Sequence, residues 1–238
     1  MVIRDPYVIL GLVILGVLIL FSVSKMPHSK SEDMHGNIGD TFLNLFKNKT
    51  YSQGVLAQIF YVGAQIMCWT YIYQYAEGIG MDSVTAGYYQ MAAFVLFTIG
   101  RAFGTYLLRF INAGKLLMLF AFFAIGCTMG VVVINNILGL YCLVGVSFFM
   151  SLMFPTIYGI ALGKLTEDES KIGSAGLVMA IVGGALMPKL QGMIIDIGGY
   201  GVNDVKIIGI SEINLSFLLP VLCFAFIAIY GRNNLTKI

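Results

Sequence analysis

Seven long, nearly uncharged apolar stretches alternate with polar connections along the chain: Tyr7 to Ser24, Gln53 to Tyr75, Thr85 to Leu108, Leu116 to Ile134, Leu138 to Leu162, Ile172 to Ile197 and Ile213 to Tyr230. Each reaches the length, about 18 residues or more, that a helix needs to cross a bilayer core of roughly 30 Å. Hydrocarbon offers backbone N–H and C=O groups no partner, so a spanning segment is a helix or a strand of a closed barrel, and these stretches are far too long for barrel strands. The pattern predicts an all-α membrane protein of about seven transmembrane helices. The connections are short apart from residues 25–52, which are rich in Lys, Ser, Asp, Glu, Asn and His and belong in water. Within them, Phe42, Leu43, Leu45 and Phe46 beside Lys47 predict a brief interfacial helix. A signal peptide is the other reading of the first stretch. Asp5 and Pro6 just before it, its length and the lack of a small-residue cleavage pattern argue for a retained helix.

Composition agrees with the pattern: 58% of the 238 residues are hydrophobic and 11% are charged, so a soluble fold has too little polar surface to cover the apolar side chains. The net charge of +2 comes from scattered basic residues, which excludes a nucleic-acid surface. Cys68, Cys127, Cys142 and Cys223 fall in four different stretches and read as small packing residues. His28 and His35 lie in the long connection at poor spacing for a metal, so neither a metal site nor a cofactor is expected. An intramembrane enzyme would need a nucleophile with its base, or a metal set, at membrane depth, and no such constellation is present in the sequence.

Counting basic residues on alternate sides sets the orientation. Lys25, Lys30, Lys47, Lys49, Arg101, Arg109, Lys115, Lys164, Lys171, Arg232 and Lys237 fall on one side and only Arg4 and Lys206 on the other. The positive-inside rule then puts the long connection and the C-terminus in the cytoplasm and the N-terminus outside. An outside N-terminus that leads almost at once into an apolar helix suggests further chain upstream.

Stretches one, four and seven are the most apolar and are expected to face lipid. The others carry polar groups: Gln58, Gln65, Trp69 and Gln74, then Gln90, then Ser147 and Ser151, then Lys189, Gln191 and Asp196. A period of three helices is the layout of a 3+3 inverted-repeat transporter bundle, here with one preceding helix and a site near the midplane. In the second stretch Gln58, Tyr61, Gln65, Trp69 and Tyr73 share one face at steps of three, four, four and four. Amides donate to and accept from hydroxyls, and aromatic faces pack on the C–H face of a pyranose, so this set suits a neutral sugar. Interhelical hydrogen bonding is the competing role. In the fifth stretch Pro155 frees a backbone carbonyl and can bend the helix beside Phe154 and Tyr158, either as a gate or as a tolerated kink. In the sixth, Gly183 and Gly184 let helices approach or slide, while Lys189 either serves the transport path or snorkels outward to a carboxylate.

Four segments together, Gln58-Ile-Phe-Tyr-Val-Gly-Ala-Gln65, Gly100-Arg-Ala-Phe-Gly-Thr105, Phe154-Pro-Thr-Ile-Tyr158 and Val182-Gly-Gly-Ala-Leu-Met-Pro-Lys-Leu-Gln-Gly192, resemble the fucose/galactose/glucose-proton symporter family of the major facilitator superfamily. The resemblance covers essentially the whole chain and corresponds to the family's sixth through twelfth helices. It implies residues 1–24 as the last helix of an N-terminal half otherwise missing here, 25–52 as the central cytoplasmic loop and 53–238 as a six-helix C-terminal half. It also implies proton-coupled transport of a monosaccharide (fucose, glucose or galactose) by alternating access in a cell (inner) membrane, with the proton-coupling carboxylates in the N-terminal half. Gln58, Gln65, Trp69, Phe154 and Tyr158 are then substrate-binding candidates. Arg101, Pro155, Gly183, Gly184 and Lys189 are gating candidates, Arg101 together with Arg109 and Lys115 forming a latch around the cytoplasmic turn. A facilitator for another small polar solute and a seven-helix sensor are the competing functions; the last helix has no mid-span Lys for a retinal Schiff base.

Overall fold

The computed structural model describes residues 4–24, 44–199, 206–207 and 209–235. These fall into two compact units, residues 1–35 and 36–238. In the first, α1 (Arg4–Val23) is one continuous and almost wholly apolar helix, near whose end the Ser22 hydroxyl donates back to the Leu18 carbonyl at 2.9 Å.

The second unit begins with a helical turn at 44–47 and continues with α2 (Lys49–Thr70), α3 (Ile72–Gly78), α4 (Ser83–Leu107), α5 (Ala113–Val133), α6 (Ile137–Met150) and α7 (Met153–Leu162). After these come α8 (Glu167–Met179), a 3₁₀ turn, α9 (Gly183–Ile195), a second 3₁₀ turn, α10 (Glu212–Ser216) and α11 (Leu218–Asn233). Short polar side chains fix the helix starts. Asn48, Asp82, Asn112 and Asn136 each accept from the first free N–H groups of α2, α4, α5 and α6, and Thr166 with Glu169 forms a capping box on α8.

Each of the seven expected stretches lies on one helix or on a broken one. Among the described residues four helical segments are long and apolar enough to cross a membrane, and α2 with α3 makes a fifth, bent by 41°. α4 has the length but falls below that apolarity because it carries Ser83, Thr85, Gln90, Thr98, Arg101 and Thr105, while α1 is an apolar helix of 20 residues whose described side chains run from Tyr7 to Val23. One element was not expected: a two-residue hairpin, β1 (Lys206–Ile207) and β2 (Ile210–Ser211), turning at Gly209, whose φ of +80° suits glycine. The interfacial helix is helical at 44–47, but Leu45 is buried with Tyr51, Ala161 and Leu177 in the bundle; Phe42 and Leu43 lie outside the described residues.

The packing has the symmetry of an inverted repeat. Take α2–α3, α4 and α5 as the first, second and third helices of one repeat, and α6–α7, α8–α9 and α11 as those of the other. The third helices, α5 and α11, pack on each other, and the first helices meet through α2 and α7. The second helix of each repeat packs on the first helix of the other: α9 on α2, and α4 on α6. The third helix does likewise, α11 on α2 and α5 on α6. Glycine sets both second-to-first crossings. A Cβ on Gly183 would fall on the Ile59 carbonyl of α2, and a Cβ on Gly100 would fall on the Phe148 carbonyl of α6. Close backbone approach of this kind is how helices associate where the solvent is itself apolar.

α5 and α11, expected to face lipid, also pack closely on each other. Within this chain 44% of the most apolar window of α5 and 56% of that of Glu212–Asn233 are buried, against 22% for Glu167–Ile195. Composition tells which helices carry polar groups, whereas burial depends on how the repeats clasp, and here the third helices form the clasp. The apolar core of the bundle includes Tyr61, Met67, Ile72, Leu140, Phe217 and Phe224. Both ends are pinned by tyrosines. Tyr51 donates to the Gly173 carbonyl and Tyr230 to that of Thr50 at one end, and Tyr75 reaches the Ile134 and Asn136 carbonyls at the other.

Candidate functional site

The polar face of α2 starts at Gln58, which is wholly buried, with neither side-chain oxygen nor nitrogen bonded to another group among the described residues. One turn on, the buried Tyr61 hydroxyl is likewise without a partner, while its ring packs edge-on against Phe154 with centroids 6.1 Å apart. Phe154 in turn lies parallel to Tyr158, at 6.4 Å with planes 13° apart. The α2–α7 packing thus joins unpaired polar atoms to two aromatic rings. Leaving such groups unmet inside a fold costs about 1–3 kcal/mol each, which makes a polar guest favourable there.

The other α2 candidates differ from these two. Gln65 is half-buried and forms no hydrogen bond among the described residues. Trp69 has spent its indole N–H on the Ser147 hydroxyl of α6 at 3.2 Å, and its ring is held edge-on by Phe94 and Phe97 of α4. It ties three helices together and keeps little capacity for a ligand. Tyr73 leaves the face altogether, because α2 ends at Thr70 and the bent α3 carries it to an exposed position. A shallow hollow on α4, lined by Phe94, Val95, Thr98 and Ile99, adds nothing polar, since the Thr98 hydroxyl bonds back to the Phe94 carbonyl at 3.0 Å.

The gating candidates are spread over two places. Pro155 is in the first turn of α7, just past the break from α6, and Arg101 reaches that break from α4, donating through Nε and Nη2 to the Ser151 carbonyl at 3.2 Å each. Arg101 therefore sits within α4, more than a turn before its end, while Arg109 and Lys115 do flank the turn into α5. Gly183 and Gly184 lie where α9 meets α2, a Cβ on Gly184 meeting the side chains of Val62 and Ile66 at 3.1 Å. Lys189 is exposed and forms no ion pair among the described residues. His28 and His35 lie outside the described residues, and no group of three metal-ligating side chains occurs within them.

A second polar set lies between α9 and α10, of which the sequence pattern marks only Gln191. Gln191 donates to the Ser216 hydroxyl at 3.0 Å, and Asn214 donates to the Val131 carbonyl at 2.7 Å while accepting from Ser211. Glu212 is buried beside them. It lies just ahead of an apolar run, where a charged residue reads as loop; the signal was its place one residue after a serine that can open a helix.

No family profile matches the chain. It is 48% identical over 230 residues to an L-fucose-proton symporter of Haemophilus influenzae, covering 96% of this chain and 52% of that protein. It is 32% identical to an L-fucose-proton symporter of Escherichia coli and 29% identical to a glucose/galactose transporter of Brucella abortus. Among solved structures it superposes on the E. coli fucose:proton symporter with a TM-score of 0.82 at 31% identity, over 97% of this chain and 54% of that one. A further crystal structure of that protein, described as a major facilitator superfamily transporter in the outward conformation, gives the same score. The chain spans about half the length of the curated relatives it matches.

Proposed function

Because the chain is related along nearly its whole length to half of the fucose-proton symporters and glucose/galactose transporters, we propose that it supplies the C-terminal half of a major facilitator transporter. That transporter moves a monosaccharide (fucose, glucose or galactose) with protons by alternating access, and its coupling carboxylates lie in the N-terminal half. Residues 53–238 form the six-helix half, 25–52 the cytoplasmic connection and 1–24 the last helix of the preceding half. The distribution of Lys and Arg supports an outside N-terminus and a cytoplasmic C-terminus in a cell (inner) membrane.

The observation that carries the sugar reading is the unpaired amide of Gln58 and hydroxyl of Tyr61 beside the Phe154–Tyr158 pair. An amide that both donates and accepts, a phenol and two aromatic faces together match a ring with hydroxyls on its edge and C–H bonds on its face. Gln65 extends this set along α2; Trp69 supports it from behind.

The test is uptake of radiolabelled fucose, glucose and galactose into cells in which this chain is joined to the N-terminal half of a relative, with and without a protonophore. Uptake of one sugar that the protonophore abolishes is expected. Gln58→Leu should reduce it at least tenfold while leaving the melting temperature of the purified chain unchanged or raised, because leucine removes an unmet buried amide. Uptake that survives Gln58→Leu, or a leucine variant that no longer folds, would show that Gln58 is part of the scaffold instead.

A further inference from the structure

Proline has no N–H, so the carbonyl four residues before Pro155, that of Ser151, receives no donor from its own helix. Ser151 is fully buried, which leaves that oxygen no water to turn to. The backbone is otherwise nearly helical across the joint: Ser151 has φ −56° and ψ −35°, Leu152 has φ −94° and ψ −15°, and the Thr156 N–H reaches the Leu152 carbonyl at 3.2 Å. The Ser151 hydroxyl does not help, being bonded to the Phe148 carbonyl at 2.7 Å.

We infer that Arg101 is a positioning residue whose guanidinium replaces the hydrogen bond deleted by Pro155 and so fixes the angle between α6 and α7. Three observations converge on this. Both Nε and Nη2 point at the one oxygen that proline leaves open. The guanidinium carbon lies 4.9 Å from the centre of the Phe97 ring, which holds the group in place from its own helix. Gly100, the neighbouring residue, is where α4 comes close enough for the reach, since any Cβ there would strike the Phe148 carbonyl or, at 2.7 Å, the Ser151 hydroxyl. Phe154 and Tyr158 lie just past the joint, so the clamp sets where these rings stand relative to Tyr61; that consequence, though not the clamp, rests on the sugar-site reading above.

The experiment is hydrogen–deuterium exchange of the purified chain, without sugar, in four forms: native, Arg101→Ala, Pro155→Ala and the double variant. Arg101→Ala should speed exchange of the amides from Leu152 to Ile157 about tenfold, as expected for an orphaned buried carbonyl. Pro155→Ala restores an N–H four residues after Ser151, so in that background Arg101→Ala should change exchange less than twofold. Equal effects of Arg101→Ala in both backgrounds would overturn the inference, because a general packing or charge role does not depend on residue 155. Should Pro155→Ala fail to fold, Arg101→Lys carries the test, since an ammonium can still donate to the carbonyl. Exchange returned towards native supports the clamp, and a lysine variant as labile as the alanine one refutes it. As no transport is measured, failure of the sugar-symport proposal and failure of the clamp register in separate experiments.

Discussion

The first helices of the two repeats are both broken, at Tyr71 between α2 and α3 and at Ser151 to Leu152 between α6 and α7, and they are held differently. At Tyr71 the broken helix supplies the donor: its hydroxyl reaches across to the Pro188 carbonyl of α9 at 2.8 Å. At Ser151 the broken helix supplies the acceptor, and Arg101 of α4 reaches in. In both cases the tie runs from the first helix of one repeat to the second helix of the other; at Ser151 it lies beside the Gly100 crossing, and at Tyr71 a Cβ on Gly192 would meet the hydroxyl at 2.9 Å. The difference teaches that the repeat conserves a geometric relation and leaves the chemistry free: a 41° bend without proline needs one neutral hydrogen bond, whereas a proline break calls for a charged donor with two N–H groups.

The sharpest way to break the comparison is through the two crossings. Gly100 and Gly183 face a neighbour's backbone carbonyl, which cannot yield as a side chain can. Alanine at either should cost about 1–3 kcal/mol, read as a lower melting temperature in detergent, and valine more. Gly184→Ala should cost less, because the side chains of Val62 and Ile66 can give the few tenths of an ångström required. If Gly183→Ala melts no lower than Gly184→Ala, the crossings are not equivalent.

The ties themselves come next. Arg101→Ala orphans a buried carbonyl that has no other donor, about 1–3 kcal/mol, while Tyr71→Phe removes a neutral bond of about 0.5–1.5 kcal/mol. Melting temperatures of the two variants should therefore fall in that order. Equal losses would mean that the proline does not set the demand at Ser151.

How far the sequence foretold this arrangement follows from what each residue signals by itself. Pro155 announced a freed carbonyl, and Gln58 with Tyr61 on one helical face announced unmet hydrogen-bonding capacity, since both are local properties of residue type and spacing. Tyr73 was lost from that face because the bend at Tyr71 has no proline or glycine to mark it. Arg101 read by its charge as one more inside-facing residue and, through the family resemblance, as part of a latch at the cytoplasmic turn. Its real partner is a backbone atom fifty residues away, and a carbonyl leaves no trace in a pattern of side chains. The clasp of α5 and α11 was hidden for a related reason: Gly114 and Gly231 permit it, but apolar helices look alike whether their neighbour is lipid or protein.

The smallest effect concerns how α4, which carries Arg101, is started. Asp82 accepts from the Thr85 hydroxyl at 2.6 Å and from the N–H groups of Val84 and Thr85, and these bonds, that of the Thr85 hydroxyl first, hold its carboxyl below the ordinary aspartate range. A carboxylate with a depressed folded pKa contributes stability that is complete above its unfolded value, about 3.9, and is lost as pH falls through the folded value. Acidification through this window should thus fray the start of α4, seen as faster exchange at Val84 to Ala86 and little change at the start of α5, which Asn112 caps with an amide oxygen and whose first turn holds no carboxylate. Asp82→Asn keeps a side-chain oxygen for the cap and removes the titrating group, so its exchange at these amides should not vary with pH over the same window. Persistence of the full pH response in Asp82→Asn would place the acid sensitivity of α4 elsewhere and leave Arg101 dependent on some other anchor.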